Sequence, residues 1–190
     1  MNTYPLQLKS CPLTDEQFFQ LCLNNRDVRF ERNAQGDLII MSPTGGETGN
    51  RNGRLIQKLF NWTDKNGTGI AFDSSTGFKL PNGANRAPDA AWIPLTKWNS
   101  LTPQQRQRFL PLCPDFVIEL RSPSDKLSTI QEKMAEYRDN GTRLGWLINR
   151  QDKQVEIYKL GKEVEVLDNP KSLSGEETLP EFVLDLELIW

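Results

Sequence analysis

Two carboxylates stand where apolar strands are expected. Glu119 lies inside Phe116-Val117-Ile118-Glu119-Leu120, and Asp89 follows Pro88 at the head of Ala90-Ala91-Trp92-Ile93. A lone carboxylate in such a run is costly unless a cation, a metal or a set of donors meets it. Two acids at the mouths or centres of two apolar strands suggest a metal site. Together with the backbone carbonyl of Leu120 they suit a hard divalent cation, Mg²⁺ or Mn²⁺, which keeps several waters and accepts phosphate oxygens. Such an ion lowers the pKa of bound water and stabilises charge on a phosphate. A cation beside it can hold the attacking water or the transition-state oxyanion, and Arg121 and Lys133 are the candidates.

Each candidate has a plainer reading. Alternate strand side chains share a face, which puts Asp115, Val117, Glu119 and Arg121 together, so Arg121 could simply neutralise Glu119 in a buried ion pair. Asp89 shifts the balance towards a site. Lys133 lies on the flank of a helical stripe made by Leu127, Ile130, Met134 and Tyr137, where a boundary lysine would snorkel to solvent. Glu31, in Arg29-Phe30-Glu31-Arg32, reads by alternation as a solvated strand residue. The loop Gly45-Gly46-Glu47-Thr48-Gly49 precedes a helix but lacks the lysine of GxxxxGK(S/T) and the spacing of GxGxxG. It reads as a flexible entrance or a tight backbone approach, not as a nucleotide cradle.

The elements that must position these residues follow from patterning. Thr14-Asp15-Glu16-Gln17 is a capping box that opens a helix through about Asn24. Residues 28–32 and 37–41 form a hairpin about Asn33-Ala34-Gln35-Gly36. Residues 50–65 carry Leu55, Ile56, Leu59, Phe60 and Trp62 at helical spacing, ending at Asn66-Gly67. Strands follow at 70–72, 77–80 and 87–93, then a connection over 94–114 with one short helix. A strand at 115–121, a helix at 126–140 and a strand at 144–149 make a βαβ unit. A hairpin of residues 155–158 with 164–167 and a closing segment at 182–184 complete the chain. The fold class is α/β (α+β), a mixed sheet flanked by helices.

The chain has 190 residues, 37% hydrophobic and 25% charged, which fits one soluble domain over residues 1–190. Lys and Arg number 23 against 25 acids, a net charge of −2, so any nucleic-acid binding must be local. Histidine is absent. That removes Ser-His-Asp and Cys-His catalysis, His-ligated zinc and histidine general bases. Cys11, Cys22 and Cys113 are too few and too scattered for a zinc site or a disulfide framework, which points to a reducing cytoplasm. Cys113 reads as a small buried hydrophobe, and the five tryptophans as core or subunit-contact residues. The opening Met1-Asn2-Thr3-Tyr4-Pro5 does not resemble an export signal, and no apolar run is long enough to span a membrane.

Pro88-Asp89 followed by Glu119-Leu120-Arg121 resembles the PD-(D/E)XK nuclease pattern with Arg at the usual Lys position. The wider string resembles the Uma-type restriction endonuclease family of that superfamily. It runs through Phe30-Glu31 with Gly36, Met41-Ser42-Pro43, Ala87-Pro88-Asp89, residues 114–125, Lys133-Met134 with Tyr137, and Gly145-Trp146-Leu147-Ile148. The resemblance implies a restriction-endonuclease-like core with Asp89 and Glu119 as metal ligands and Glu31 in the acidic shell. The family tends to move the catalytic lysine from the strand onto the following helix, which favours Lys133 over Arg121. The expected function is Mg²⁺-dependent cleavage of DNA. By analogy a homodimer would fit, since duplex cleavage needs two sites. The rival reading is a catalytically silent DNA-binding or protein-interaction module on the same fold, and a third is a metal-dependent hydrolase of another phosphoester.

Overall fold

The structure, a computed structural model, describes residues 13–41 and 43–190. The segment Met1–Pro5, Cys11, and Ser42 of the Gly-rich loop lie outside the described residues. Helix α1 (Asp15–Asn24) starts at the expected capping box, in which Gln17 N–H donates to Thr14 Oγ1 at 3.2 Å and Thr14 N–H donates to Gln17 Oε1 at 2.9 Å. The hairpin β1 (Arg29–Arg32) and β2 (Leu38–Met41) follows, with Glu31 opposite Ile39 and Gly36 at φ 90° in the turn. A positive φ there suits glycine.

Helix α2 (Gly46–Asn66) starts four residues ahead of the expected Asn50, so most of the glycine-rich stretch is its first turn, with Gly45 as N-cap. Glycine is a weak helix former, and packing of Thr48, Leu55, Leu59 and Thr63 overrides it. Next come β3 (Gly69–Asp73), β4 (Phe78–Lys79), β5 (Asn85–Arg86) and β6 (Ala90–Pro94). The strand expected from residue 87 thus begins at Ala90, leaving Pro88 and Asp89 at its mouth. The 94–114 connection holds two short helices where one was expected, α3 (Leu95–Ser100) and α4 (Pro103–Arg106).

Strand β7 (Phe116–Leu120), helix α5 (Leu127–Asp139) and strand β8 (Leu144–Asn149) form the expected βαβ unit, with β7 and β8 parallel and Glu119 opposite Leu147. The chain finishes with β9 (Gln154–Lys159), β10 (Glu165–Asp168), β11 (Ser172–Ser174) and β12 (Val183–Asp185). The main sheet runs β10-β9-β8-β7-β6-β3, antiparallel except at β7–β8. A four-stranded sheet, β2-β1-β5-β4, and the small β11-β12 pair complete a mixed α/β fold. Among the described residues no helix is long and apolar enough to cross a membrane.

Strand alternation sorts β7 onto two cores. Phe116, Ile118 and Leu120 pack with Leu55 and Leu59 of α2, Trp146, and Leu184, Leu186 and Ile189 near the chain's end. Each such burial contributes about 1.5–3 kcal/mol. Val117 faces the other way, with Ala91, Leu147 and Tyr158 against Met134 and Tyr137 of α5. Glu119 shares that parity. Gly145 lets α5 approach the sheet, because a Cβ there would stand 2.6 Å from Met134 Cε and 3.2 Å from Val117 Cγ2. Lys133, one residue before Met134, is thereby brought down onto the strands.

Candidate metal centre

Strands β6 and β7 run antiparallel with Ala90 opposite Ile118, so one further step of the ladder sets Asp89 opposite Glu119. Directly opposed residues carry their Cβ atoms about 4.5–5.5 Å apart. Two carboxylates far apart in the chain are thus made neighbours by register alone.

Asp89 is held from two sides. Its Oδ2 accepts from Leu120 N–H at 2.8 Å and its Oδ1 accepts from Asn52 Nδ2 at 2.7 Å. Asn52 sits four residues after Thr48 and three before Leu55, on the buried stripe of α2. The sequence reasoning did not single it out. A polar amide on an otherwise core-facing stripe was the available signal. Its Oδ1 is buried and meets no hydrogen-bond partner among the described residues.

Glu119, on the same face as α5, meets Lys133 Nζ at 2.7 Å and accepts from Tyr137 Oη at 3.2 Å, both through Oε1. Lys133 Nζ also lies 2.8 Å from Glu31 Oε1 and donates to Ala87 O at 3.4 Å. Glu31 is not solvated as alternation suggested but is 2% exposed. Its Oε1 accepts from Ala87 N–H at 2.9 Å, and Arg86 Nη1 reaches its Oε2 at 3.1 Å. Arg86 Nε in turn donates to Glu136 Oε2 at 2.5 Å. Arg86 and Glu136 were also missed, because their partners come from other elements.

Arg121 is placed elsewhere. β7 ends at Leu120, and the Arg121 guanidinium turns to the β8–β9 turn, where Nη1 lies 3.0 Å from Asn149 Oδ1 and 3.3 Å from Asp152 Oδ2. Its Nε donates to Asp125 O at 3.3 Å. The plainer reading of Arg121, a pairing with Glu119, is therefore replaced by a latch to the end of β8 and the turn after it. Asp115, at the other end of β7, pairs with Lys97 at 2.7 Å.

The charges do not balance. Four carboxylates, those of Glu31, Asp89, Glu119 and Glu136, share two cations, Arg86 and Lys133. The consequences separate the acids. Burial pulls Glu31 upward, but Lys133, Arg86 and the Ala87 N–H outweigh it and hold the carboxyl below its ordinary value. Burial pushes Glu119 up to about 8, with Lys133 opposing and Asp89 and Glu31 adding to the rise. Burial likewise raises Asp89, against the bonds from Leu120 and Asn52. Lys133 is drawn down by burial and up by Glu119 and Glu31, and ends above its ordinary value, charged at neutral pH.

Asp89 and Glu119 are therefore the two acids left short of a counter-charge, and hard oxygens of this kind fit a divalent cation such as Mg²⁺. Among the described residues no three His, Cys, Asp or Glu side chains gather closely enough to hold a metal. Glu31 does not complete such a set, since Lys133 on its Oε1 and Arg86 on its Oε2 already neutralise it. The fit is to a two-carboxylate site completed by a carbonyl and water.

A solved structure described as a putative nuclease belonging to DUF820, from Anabaena variabilis, superposes with a TM-score of 0.77 at 19% identity, covering 94% of this chain and 97% of its own. At that identity the likeness shows the fold. No curated protein matches the sequence. The model of one family, described as "Putative restriction endonuclease", matches residues 15–187, nearly the whole chain. The chain belongs to this family, Uma2.

Proposed function

We propose that the chain is a Mg²⁺-dependent DNA endonuclease in which Asp89 and Glu119, with the Leu120 carbonyl, hold the ion, and in which Mn²⁺ can take its place. The observation that carries this reading is the pair of opposed carboxylates left without sufficient counter-charge beside a fixed, charged lysine. Mg²⁺ held there would supply Lewis acidity to a phosphodiester. Asn52 and the Leu120 N–H fix Asp89, and Tyr137 fixes Glu119.

Lys133 is the catalytic cation of this proposal. Being charged, it serves as a donor rather than a base: it exchanges its long 3.4 Å contact with Ala87 O for the attacking water and opposes the negative charge that grows on the phosphate oxygens. The water oxygen joins phosphorus and gives a proton to solvent, while the P–O bond to the leaving oxygen breaks and that oxygen takes a proton from solvent to leave as a hydroxyl. Glu31 is a positioning residue, holding Lys133 at 2.8 Å while Arg86 balances it. A reducing cytoplasm suits the unpaired Cys22 and Cys113. A homodimer would serve duplex cutting.

One observation favours a second reading, a catalytically silent DNA-binding protein: no third acidic side chain joins the pair among the described residues. Nicking of supercoiled plasmid with Mg²⁺ or Mn²⁺ separates the two. Cleavage by the wild type and its loss in Asp89→Ala and Glu119→Ala support the endonuclease. Salt-dependent DNA binding without cleavage supports the silent form, and absent metal binding with mutants that behave as wild type sinks the proposal.

A further inference from the structure

A second group of charged residues lies beside the candidate centre and plays no part in it. Arg51 is the residue before Asn52 on α2, and Arg150 directly follows β8, the strand next to β7. Asn52 donates to Asp89 Oδ1, so Arg51, its chain neighbour on α2, ties this group to the candidate centre. The two guanidinium groups are largely buried, with side chains 20% and 15% exposed. They converge on one oxygen: Glu47 Oε2 is 3.1 Å from Arg51 Nη1 and 3.6 Å from Arg150 Nη2.

That carboxylate is a poor match for the cations it serves. Glu47 is 82% exposed, reaching in from the first turn of α2. The Nε atoms of both arginines are buried and meet no hydrogen-bond partner among the described residues. Arg51 Nη2 adds only a 3.3 Å contact to the main-chain oxygen of Trp190. A solvent-open cavity of about 500 Å³ alongside is lined by Glu47, Asn50, Arg51, Arg54 and Glu187 among others. Two largely buried forks that share one exposed acid, Arg51 lining the open cavity and Arg150 reaching the same acid from the end of β8, suit an oxyanion with several acceptor oxygens. Guanidinium groups match phosphate in this way, with two donors on two oxygens.

We infer that Arg51 and Arg150 bind a backbone phosphate of DNA flanking the one to be cleaved, and that Glu47 holds the phosphate's place until DNA arrives. This rests on the endonuclease reading for the identity of the anion, while the site itself rests on the arginines. It also accounts for how a chain of net charge −2 can hold a polyanion locally.

The test is fluorescence anisotropy of a labelled DNA duplex in EDTA, titrated with salt, on the wild type and on Glu47→Gln, Arg51→Gln and Arg150→Gln. Each arginine variant should weaken binding and lower the slope of log affinity against log salt by about 1. Arg51→Lys and Arg150→Lys, which keep the charge, should largely restore that slope. Glu47→Gln, at an exposed position where folding is not in question, should tighten binding several-fold because it removes the competing anion. Unchanged affinity and slope in both arginine variants, or weaker binding by Glu47→Gln, overturns the inference. Adding Mg²⁺ to the same samples separates the two readings. Cleavage with all three variants unaltered overturns the phosphate site alone, and arginine-dependent binding without cleavage overturns the endonuclease alone. A wild type that binds no DNA overturns both.

Discussion

Replacing Glu119 by Gln keeps the shape of the side chain at the end of β7 and removes its charge. In the metal-free protein the Glu119 carboxyl stands at about 8 against an ordinary 4.5. Between those values the folded chain binds a proton that the unfolded chain has released, so stability from this group is full at acid pH and falls as the pH rises towards 8. The difference amounts to up to about 5 kcal/mol, a large fraction of the stability of an ordinary domain. Asp89 acts in the same direction and Glu31 in the opposite one, and both are present in either protein, so the contrast between wild type and Glu119→Gln reads Glu119 together with its coupling to these two neighbours. Urea unfolding in EDTA at about pH 5 and about pH 8 measures it. The wild type should lose several kcal/mol more than the variant across that window, and Mg²⁺ should restore the wild type alone at the higher pH. Parallel pH profiles for the two proteins would refute the reasoning.

Lys133→Ala leaves Glu119 and Glu31 buried without their shared cation. It should cost about 3–5 kcal/mol at neutral pH by denaturant unfolding, and about 10²–10³-fold in cleavage rate at saturating Mg²⁺. Lys133→Arg should recover stability more than rate. Arg121→Ala should lower stability by about 1–2 kcal/mol, since it cuts the latch to Asn149 and Asp152, while leaving cleavage within a few-fold. A rate loss equal to that of Lys133→Ala would return Arg121 to the catalytic role. Gly145→Ala forces a methyl group against Met134 and Val117. It should cost about 1–3 kcal/mol in a thermal melt, and an unchanged melting temperature would show that α5 does not depend on that close approach.

Much of this site was legible because its acids break local patterns. Glu119 among Phe116, Ile118 and Leu120, and Asp89 ahead of Ala90-Ala91-Trp92, are anomalies that a single segment displays. The lysine was legible too, since helical spacing placed Lys133 on the flank of the stripe facing the sheet. Arg121 misled because strand alternation fixes the direction of a Cβ but not the reach of a long side chain beyond the last strand residue, where Asn149 and Asp152 offer better partners. Glu31 misled in the opposite sense. Alternation with arginines suggested a wet edge, whereas β5 and α5 bring Arg86 and Lys133 over it and make burial tolerable.

What could not be read is convergence between distant elements. Asn52 meets Asp89, and Arg86 meets Glu31 and Glu136, only after α2, β1, β5 and α5 have packed. The fold shows the same division. The capping box of α1 and the βαβ unit are local signals and appear as expected, while β5 and β11, two and three residues long, are too short to carry any period. The helical first turn at Gly46 arises from tertiary packing of α2, against the propensity of its own glycines.

The central claim is that Asp89 and Glu119 take a divalent cation because nothing else among the described residues fully neutralises them. Calorimetric titration of the purified protein with Mn²⁺ and with Mg²⁺ near neutral pH tests it most directly. One ion per chain should bind with release of a proton, with affinity falling as the pH is lowered, and Asp89→Ala and Glu119→Ala should each abolish the heat. A wild type that takes up no ion, or variants that bind it unchanged, would contradict the claim.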